Sequence, residues 1–201
     1  MSKNIITISR EFGSGGRIIA KEVAKKLGYA FYDRALVDSQ IRTDELSAES
    51  MRDIEDSLNE ALLFQLAVDG NYAEHFWESA MMPSVDKLFL MQEKIINNMI
   101  AKGPSVIVGT GADFICREKA DCASFFIYAP FDDRKKRVIE DYHIPAKDAE
   151  AKIRRRDKLR KEHYESCTFQ KWGDVHNYDL ALDSSFLGLS KTAELVIRAI
   201  E

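Results

Sequence analysis

A glycine-rich turn near the start of the chain has the composition of a phosphate-binding loop. Residues 5–8 form an apolar run that predicts a buried strand, and residues 9–16 follow it with the sequence Ser-Arg-Glu-Phe-Gly-Ser-Gly-Gly. When such a turn leads into a helix, its backbone N–H groups point outward and the helix dipole favours an anion there. We therefore predict nucleotide binding, with a tight turn that holds no ligand as the alternative. The residues expected to bind this nucleotide, as the phosphate donor, are Arg10, Phe12, Gly13, Ser14, Gly15, Gly16, Arg17 and Ile18.

The turn departs from the Walker A motif at the positions that carry the most chemistry. In that motif, G-x-x-x-x-G-K-[ST], the lysine reaches the outer phosphates and the hydroxyl binds magnesium. Aligning its second glycine with Gly15 puts Arg10 at the first glycine. The same alignment puts Gly16 at the lysine and Arg17 at the hydroxyl position. A guanidinium can grip phosphate oxygens with two N–H groups, so Arg10 or Arg17 could supply a cation. We expect neither to place its charge where the lysine would.

A seven-residue cluster of positive charge lies in the second half of the chain. Between residues 152 and 161 stand Lys152, Arg154, Arg155, Arg156, Lys158, Arg160 and Lys161. Arg156 and Arg160 are one helical turn apart, so both can point to the same side. A lid that places arginines over a phosphoryl group would offset its charge and exclude water. The alternatives are a solvated basic helix or a surface for RNA or acidic partners. Asp157 would orient these arginines or form a surface ion pair.

The elements that must position these groups alternate between strands and helices. Ile19, Val23 and Leu27 recur at helical spacing after the turn, and Gly28 is placed to end that helix. Apolar β-type runs follow at residues 29–32, 106–108, 124–128 and 178–182. Continuous apolar strands separated by helices indicate a parallel sheet buried on both faces. We predict a single α/β domain, a three-layer sandwich of about five parallel strands.

Several acidic and basic side chains follow the predicted strands, where a parallel sheet collects its ligands. Asp33 could organise an acceptor or its hydroxyl, or cap the next helix. Asp113 could order magnesium through water, or cap the helix that follows it. We expect Arg134 and Arg137 to be exposed, and Asp183 with the two serines after it to line a donor base pocket.

Motifs spread along almost the whole chain resemble the cytidylate kinase-like family of P-loop proteins. The matching segments are residues 8–16 with Ile19-Ala20, Gly28 to Asp33, residues 106–113, Asp157-Lys158-x-Arg160 with Tyr164, Trp172-Gly173-Asp174 and Tyr178-Asp179-Leu180. The resemblance implies a P-loop NTPase-type sandwich with its core at residues 1–36, 103–145 and 171–201. It also implies a helical acceptor-binding insertion at residues 37–102 and a basic lid at residues 146–170.

The resemblance implies ATP-dependent phosphoryl transfer with Mg²⁺ to a nucleoside monophosphate, with CMP or dCMP as the family-based expectation. Arg17, Arg156, Arg160 and Asp33 would be catalytic, and Asp33, Gly109, Gly111 and Asp113 would bind the acceptor. The chain departs from the family pattern at Thr110, where an arginine usually meets the monophosphate. The alternative is therefore a nucleotide-binding regulatory protein with weak or no transfer, because the Walker lysine is absent.

Net charge, hydropathy and cysteine content argue against a nucleic-acid-binding, membrane-spanning or zinc-stabilised protein. The formal net charge of −4 gives no overall basic field for nucleic acid, and no apolar run is long enough to span a membrane. Three cysteines without paired spacing suit a reducing compartment and argue against structural zinc. The histidines show no metal-ligand spacing, so we assign no residue as a direct metal ligand. We expect a cytoplasmic monomer or homodimer whose partners are nucleotide substrates, with no nucleic acid.

Overall fold

The computed structural model describes residues 3–33, 85–109 and 111–201. Most of the predicted helical insertion and Thr110 lie outside these residues. The described strands are β1 (Ile5–Arg10), β2 (Ala30–Asp33), β3 (Ser105–Val108), β4 (Cys122–Tyr128) and β5 (Leu180–Asp183). The described helices are α1 (Gly16–Leu27), α2 (Val85–Ala101), α3 (Ala112–Ile115), α4 (Phe131–Glu140), α5 (Ala146–Thr168), α6 (Ser184–Leu187) and α7 (Leu189–Ile200), with a 3₁₀ turn at Val175–Asn177.

The five strands form one parallel sheet in the order β2-β3-β1-β4-β5. Ile8 of β1 is in register with Val108 of β3 and Phe125 of β4, so the central strand ends between its two neighbours. In a parallel sheet all carboxyl ends share one edge. The loop after β1, Asp33 at the end of β2 and Gly109 after β3 therefore lie at this edge.

Helices cover both faces of the sheet. On one face α1 and α7 pack against the strands through buried apolar residues that include Ile19, Val23 and Val196. On the other face α2 and α3 contribute Ile96, Met99 and other apolar side chains. The predicted three-layer α/β sandwich is confirmed. It forms because strands apolar on both sides need a cover of helices on each face.

Element boundaries differ from the predicted ones by a few residues. β1 extends to Arg10, so the first basic residue of the turn belongs to the strand. β5 begins at Leu180 rather than at Tyr178, which follows the 3₁₀ turn. The predicted helix end at Gly28 is confirmed, since Gly28 adopts a left-handed conformation with φ of 69° and its N–H reaches Ala24 O. α5 is one continuous helix of 23 residues that spans nearly all of the predicted lid.

Candidate active site

The glycine loop between β1 and α1 is held in shape by its own hydroxyl and by a distant serine. Ser14 Oγ donates to Glu11 O at 2.9 Å and accepts the Gly16 N–H at 3.4 Å. Ser184 Oγ donates to Ser14 O at 2.5 Å, which fastens the loop to the segment after β5. The loop is therefore a preformed structure.

Three backbone N–H groups of this loop make no hydrogen bond to the described residues. They belong to Gly13, Gly15 and Arg17, and α1 has no acidic residue in its first turn. The Phe12 N–H is occupied, because it donates to Asp157 Oδ1 at 2.7 Å. Phe12 is one of the residues predicted to bind the donor, and its backbone offers no free N–H for that purpose. Three donors at a helix N-terminus still give the arrangement that binds phosphate.

Asp157 of α5 joins the loop to two helices. Besides the Phe12 N–H, its carboxylate contacts Arg134 Nη1 at 2.5 Å and Arg160 Nη1 at 3.8 Å. The Asp157 side chain is only 17% exposed, so the alternative of a surface ion pair is wrong. Because α5 places a carboxylate on the loop backbone, the basic helix is anchored beside the loop.

Arg134 is buried, contrary to the prediction that it lies exposed. Its side chain is 9% exposed and contacts Asp157, the Phe12 carbonyl at 3.3 Å and the Glu11 carboxylate at 3.4 Å. These acceptors are the physical reason, since a charged side chain can be buried when it is paired. Burial raises the pKa of Glu11, although Arg134 and the Ala129 N–H oppose that shift. Sequence reasoning assigned Glu11 no role.

Arg156 and Arg160 lie on the same side of α5, as their spacing predicts. Their guanidinium carbons are 5.7 and 5.6 Å from the centre of the Phe12 ring. Arg160 Nη1 also donates to the carbonyl of Arg10 at 3.1 Å. The other basic side chains of the cluster, at Lys152, Arg154, Arg155, Lys158 and Lys161, are exposed. The helix thus presents two of the seven cations of this cluster to the glycine loop.

Arg17 turns away from the loop towards the end of β2. Its Nε and Nη2 lie 2.6 and 2.5 Å from Asp33 Oδ2. Asp33 is buried and Arg17 is about half exposed. The predicted helix for which Asp33 is a candidate cap falls outside the described residues. Ile18 uses its N–H inside the helix, where it donates to Gly15 O, so its backbone adds no free donor to the loop.

Asp113 is buried within α3 and does not cap it. The N-cap residue is Gly111, and Asp113 is the second residue of the helix. Its two carboxylate oxygens accept hydrogen bonds from Ser9 Oγ at 3.0 Å and from the Tyr164 hydroxyl at 2.8 Å. Burial raises the pKa of Asp113 despite these donors. The carboxylate therefore ties α5 to the sheet, and its role towards magnesium stays a prediction.

The turn after β3 lies beside the end of β1. Gly109 and Gly111 both have positive φ, of 74° and 69°, which glycine adopts without steric cost. The Gly109 N–H donates to Ile8 O at 3.0 Å, which continues the pairing of β3 with β1. The two glycines predicted to bind the acceptor are thus placed next to the loop predicted to bind the donor.

A cavity of about 340 Å³ lies on the opposite side of the loop, between α4 and the segment after β5. It is lined by Asp133, Lys136, Arg137, Glu140, Asp141, Ser184, Ser185, Gly188 and Leu189. Arg137 is half-buried rather than exposed, and its guanidinium donates to the Gly13 carbonyl. Of the residues predicted for a base pocket, the two serines line the cavity. Asp183 instead caps α6 by accepting the Ser185 N–H at 2.8 Å.

The described residues contain neither a candidate metal centre nor a candidate membrane span. No group of three or more His, Cys, Asp or Glu side chains in residues 3–33, 85–109 and 111–201 is placed to hold a metal ion. Within the same residues no helix is both long enough and apolar enough to cross a membrane. Cys116, Cys122 and Cys167 form no disulfide.

A family model and several solved structures match this chain over most of its length. The model of the cytidylate kinase-like family matches residues 5–186, whereas no curated protein matches the chain. Among solved structures, an uncharacterized protein from Eubacterium ventriosum has a TM-score of 0.69 and 26% identity, with 98% of this chain and 97% of that chain covered.

Two solved kinases share the fold at low identity. Shikimate kinase from Acinetobacter baumannii, in complex with shikimate, has a TM-score of 0.50 and 16% identity, with 98% and 92% of the two chains covered. A gluconokinase from Sinorhizobium meliloti has a TM-score of 0.51 and 12% identity, with 97% and 90% covered. The predicted P-loop kinase type of fold is confirmed.

Proposed function

Because the chain belongs to the cytidylate kinase-like family, we propose that it transfers the γ-phosphoryl group of Mg-ATP to a nucleoside monophosphate of the CMP or dCMP type. One observation carries this proposal beyond family membership. The three N–H groups of the loop that lack partners in the described residues lie where α5 places Arg156 and Arg160 around Phe12. Donors for a phosphate and cations for a moving phosphoryl group are thus held together.

In this reaction the acceptor oxygen attacks the γ-phosphorus while the bond to the β-phosphate oxygen breaks, which yields ADP and a nucleoside diphosphate. The transition state spreads negative charge over the phosphoryl oxygens, so catalysis depends on positioning and electrostatics. The N–H groups of Gly13, Gly15 and Arg17 would hold the donor phosphates. Arg156 and Arg160 would offset the developing charge.

The acceptor would bind at the neighbouring strand ends. Gly109 and Gly111 open the turn after β3, and Asp33 ends the next strand in the sheet. Arg17 bridges from the donor loop to Asp33, so this ion pair would position the acceptor or hold the two subsites in register. Asp113 would act on this region through α3. Magnesium would arrive with ATP, since Mg²⁺ is commonly held by substrate phosphates and water with few protein ligands.

The test is phosphorus NMR of the purified protein with Mg-ATP and a panel of acceptors: CMP, dCMP, UMP, AMP, GMP and shikimate. New diphosphate signal with a pyrimidine monophosphate is expected. Arg160→Gln should lower the transfer rate about 100-fold or more, because it removes a cation from the transition state. Lys161→Gln is the matched control, since it removes an exposed charge from the next position of the same helix. Transfer only to shikimate would overturn the proposed acceptor class.

A second candidate function is nucleotide binding without efficient transfer, as in a sensor or regulator. The ion pair that draws Arg17 to Asp33 favours it, because that cation is engaged away from the loop. This candidate predicts that Mg-ATP broadens the phosphorus lines and raises the melting temperature while no acceptor is phosphorylated. If ATP neither transfers nor binds, both candidates are wrong and the loop is a turn without a nucleotide.

A further inference from the structure

The side chain of Arg10 occupies the space next to Gly16, the position that aligns with the Walker lysine. A Cβ atom built on Gly16 would lie 2.6 Å from Arg10 Cβ and 3.1 Å from Arg10 Cγ. Both distances are well inside ordinary van der Waals contact of about 3.5–4.0 Å between carbon atoms. A lysine at position 16 and an arginine at position 10 therefore exclude each other in this backbone.

The charged end of Arg10 reaches the turn after β3. A Cβ atom on Gly109 would lie 1.9 Å from Arg10 Nη1 and 3.1 Å from its Cζ. Since β1 and β3 are adjacent strands, the side chain spans the gap between the start of α1 and the Gly109 turn. Gly16 and Gly109 are thus the two positions at which a missing side chain makes room for Arg10.

We propose that Arg10 replaces the Walker lysine, supplying from the end of β1 the cation that a standard loop supplies from the start of the helix. The inference rests on the proposed function and deepens it, because it names the group that binds the outer phosphates of the donor. It differs from the expectation that neither Arg10 nor Arg17 places its charge where the lysine would. A guanidinium can hold two phosphate oxygens at once, where a lysine acts as a point charge.

The surroundings of Arg10 agree with this role. Its own carbonyl accepts a hydrogen bond from Arg160 at 3.1 Å, so a second guanidinium from α5 lies at the same strand end. The three loop N–H groups that make no hydrogen bond to the described residues follow within seven residues. A triphosphate on those donors would extend its outer phosphates between the loop and the β3 turn, which is the gap that Arg10 spans.

The closing experiment measures the binding of ATP, ADP and AMP, each with Mg²⁺, by isothermal titration calorimetry. Arg10→Gln keeps most of the side-chain volume and removes the charge. We expect it to weaken ATP and ADP about 10- to 100-fold, in the range for hydrogen bonds to charged groups, and to leave AMP within about 2-fold. Arg10→Lys should fall between Arg10→Gln and the unsubstituted protein.

A charge swap makes the test specific to the replacement. Gly16→Lys alone should collide with Arg10 and lower the melting temperature. The double variant Arg10→Gly with Gly16→Lys recreates the G-x-x-x-x-G-K pattern in this chain, and we expect it to restore ATP affinity to within about 5-fold, since each form supplies one cation. A folded double variant that binds ATP no better than Arg10→Gln would overturn the inference.

The readout separates the two proposals. If the unsubstituted protein binds ATP but transfers nothing, the proposed transfer fails while the Arg10 series still decides the role of Arg10. Equal losses of ATP and AMP in a folded Arg10→Gln variant would show a structural role and overturn the inference. An unsubstituted protein that binds no ATP would overturn both. If Arg10→Gln does not fold, Arg10→Lys and the double variant decide the outcome.

Discussion

Two carboxylates fasten α5 to the rest of the molecule, one half-buried at Asp157 and one buried at Asp113, and they are held in different ways. Asp157, on α5, faces a guanidinium and a backbone N–H of the glycine loop. Asp113, on α3, accepts two hydroxyls, one of them from Tyr164 of α5. The difference shows that charge is matched by charge beside the loop, where a phosphate would bind, and that neutral donors suffice at the other contact.

Because of this difference, burial affects mainly stability at the Arg134–Asp157 ion pair and the pKa of the carboxyl at Asp113. An ion pair that loses one partner leaves a buried charge, which is costly. At Asp113, which two hydroxyls hold, desolvation outweighs those hydrogen bonds and the charge of Arg117, so burial raises the pKa of Asp113. We therefore expect substitutions near the loop to have the larger effect on stability, and substitutions at the hydroxyl contact to change its pH dependence.

The largest effect is expected from Asp157→Asn. The variant leaves the Arg134 guanidinium buried without its closest carboxylate, so the free energy of unfolding should fall by about 3 kcal/mol. Urea denaturation measures this change. Glu150→Gln is the matched control on the same helix, because Glu150 pairs with Arg154 in solvent and should change stability by less than about 1 kcal/mol. Equal losses in the two variants would contradict the assignment of Asp157 as a half-buried anchor.

A smaller loss is expected from Tyr164→Phe, which removes one of the two hydroxyls on Asp113. The ring remains packed, so the change isolates a hydrogen bond to a buried carboxylate, and stability should fall by about 1.5–2 kcal/mol. Tyr142→Phe provides the comparison, since Tyr142 is partly exposed and packs its ring on Phe12. Its effect should stay within about 0.5 kcal/mol. An unchanged urea midpoint for Tyr164→Phe would mean that Asp113 does not depend on this donor.

The pH dependence of stability should change in Asp113→Asn. Because the folded-state pKa of Asp113 is raised, the folded protein keeps this proton at pH values where the unfolded chain has lost it. The contribution of Asp113 is therefore fully present below its unfolded pKa of about 3.9 and falls as pH rises through the folded pKa. Urea midpoints measured from pH 3.5 to 7 should fall less steeply with pH in Asp113→Asn. Parallel curves would show that Asp113 does not titrate with a raised pKa.

The smallest effect is expected from Arg155→Ala, on the outer face of α5. The side chain is exposed, and surface substitutions of this kind usually change stability by less than about 0.5 kcal/mol. Transfer and ATP binding should also be unchanged, in contrast with Arg160→Gln. A marked loss of transfer in Arg155→Ala would move the functional face of the helix away from Arg156 and Arg160.

Local pattern was enough to predict the α/β sandwich and the position of the loop. Helical spacing after Gly16 and apolar runs of strand length are short-range signals, and each needs only its own segment to be recognised. The sequence of α5 also contained a periodic pattern from which its inner face could have been predicted. Ile153, Asp157, Arg160 and Tyr164 follow helical spacing, and all four pack inward in the structure.

The tertiary structure alone decided which charged groups meet. Arg134 is buried because two carboxylates far from it in the sequence contact its guanidinium. They belong to Asp157, 23 residues later, and to Glu11, near the start of the chain. The path of Arg10 depends on two glycines, Gly16 and Gly109, that are 93 residues apart. The sequence by itself determined that this chain carries a glycine loop on a parallel sheet, because that pattern is local. Which charged side chains lie beside the loop was decided by tertiary packing, because residues far apart in the sequence come together only in the folded chain.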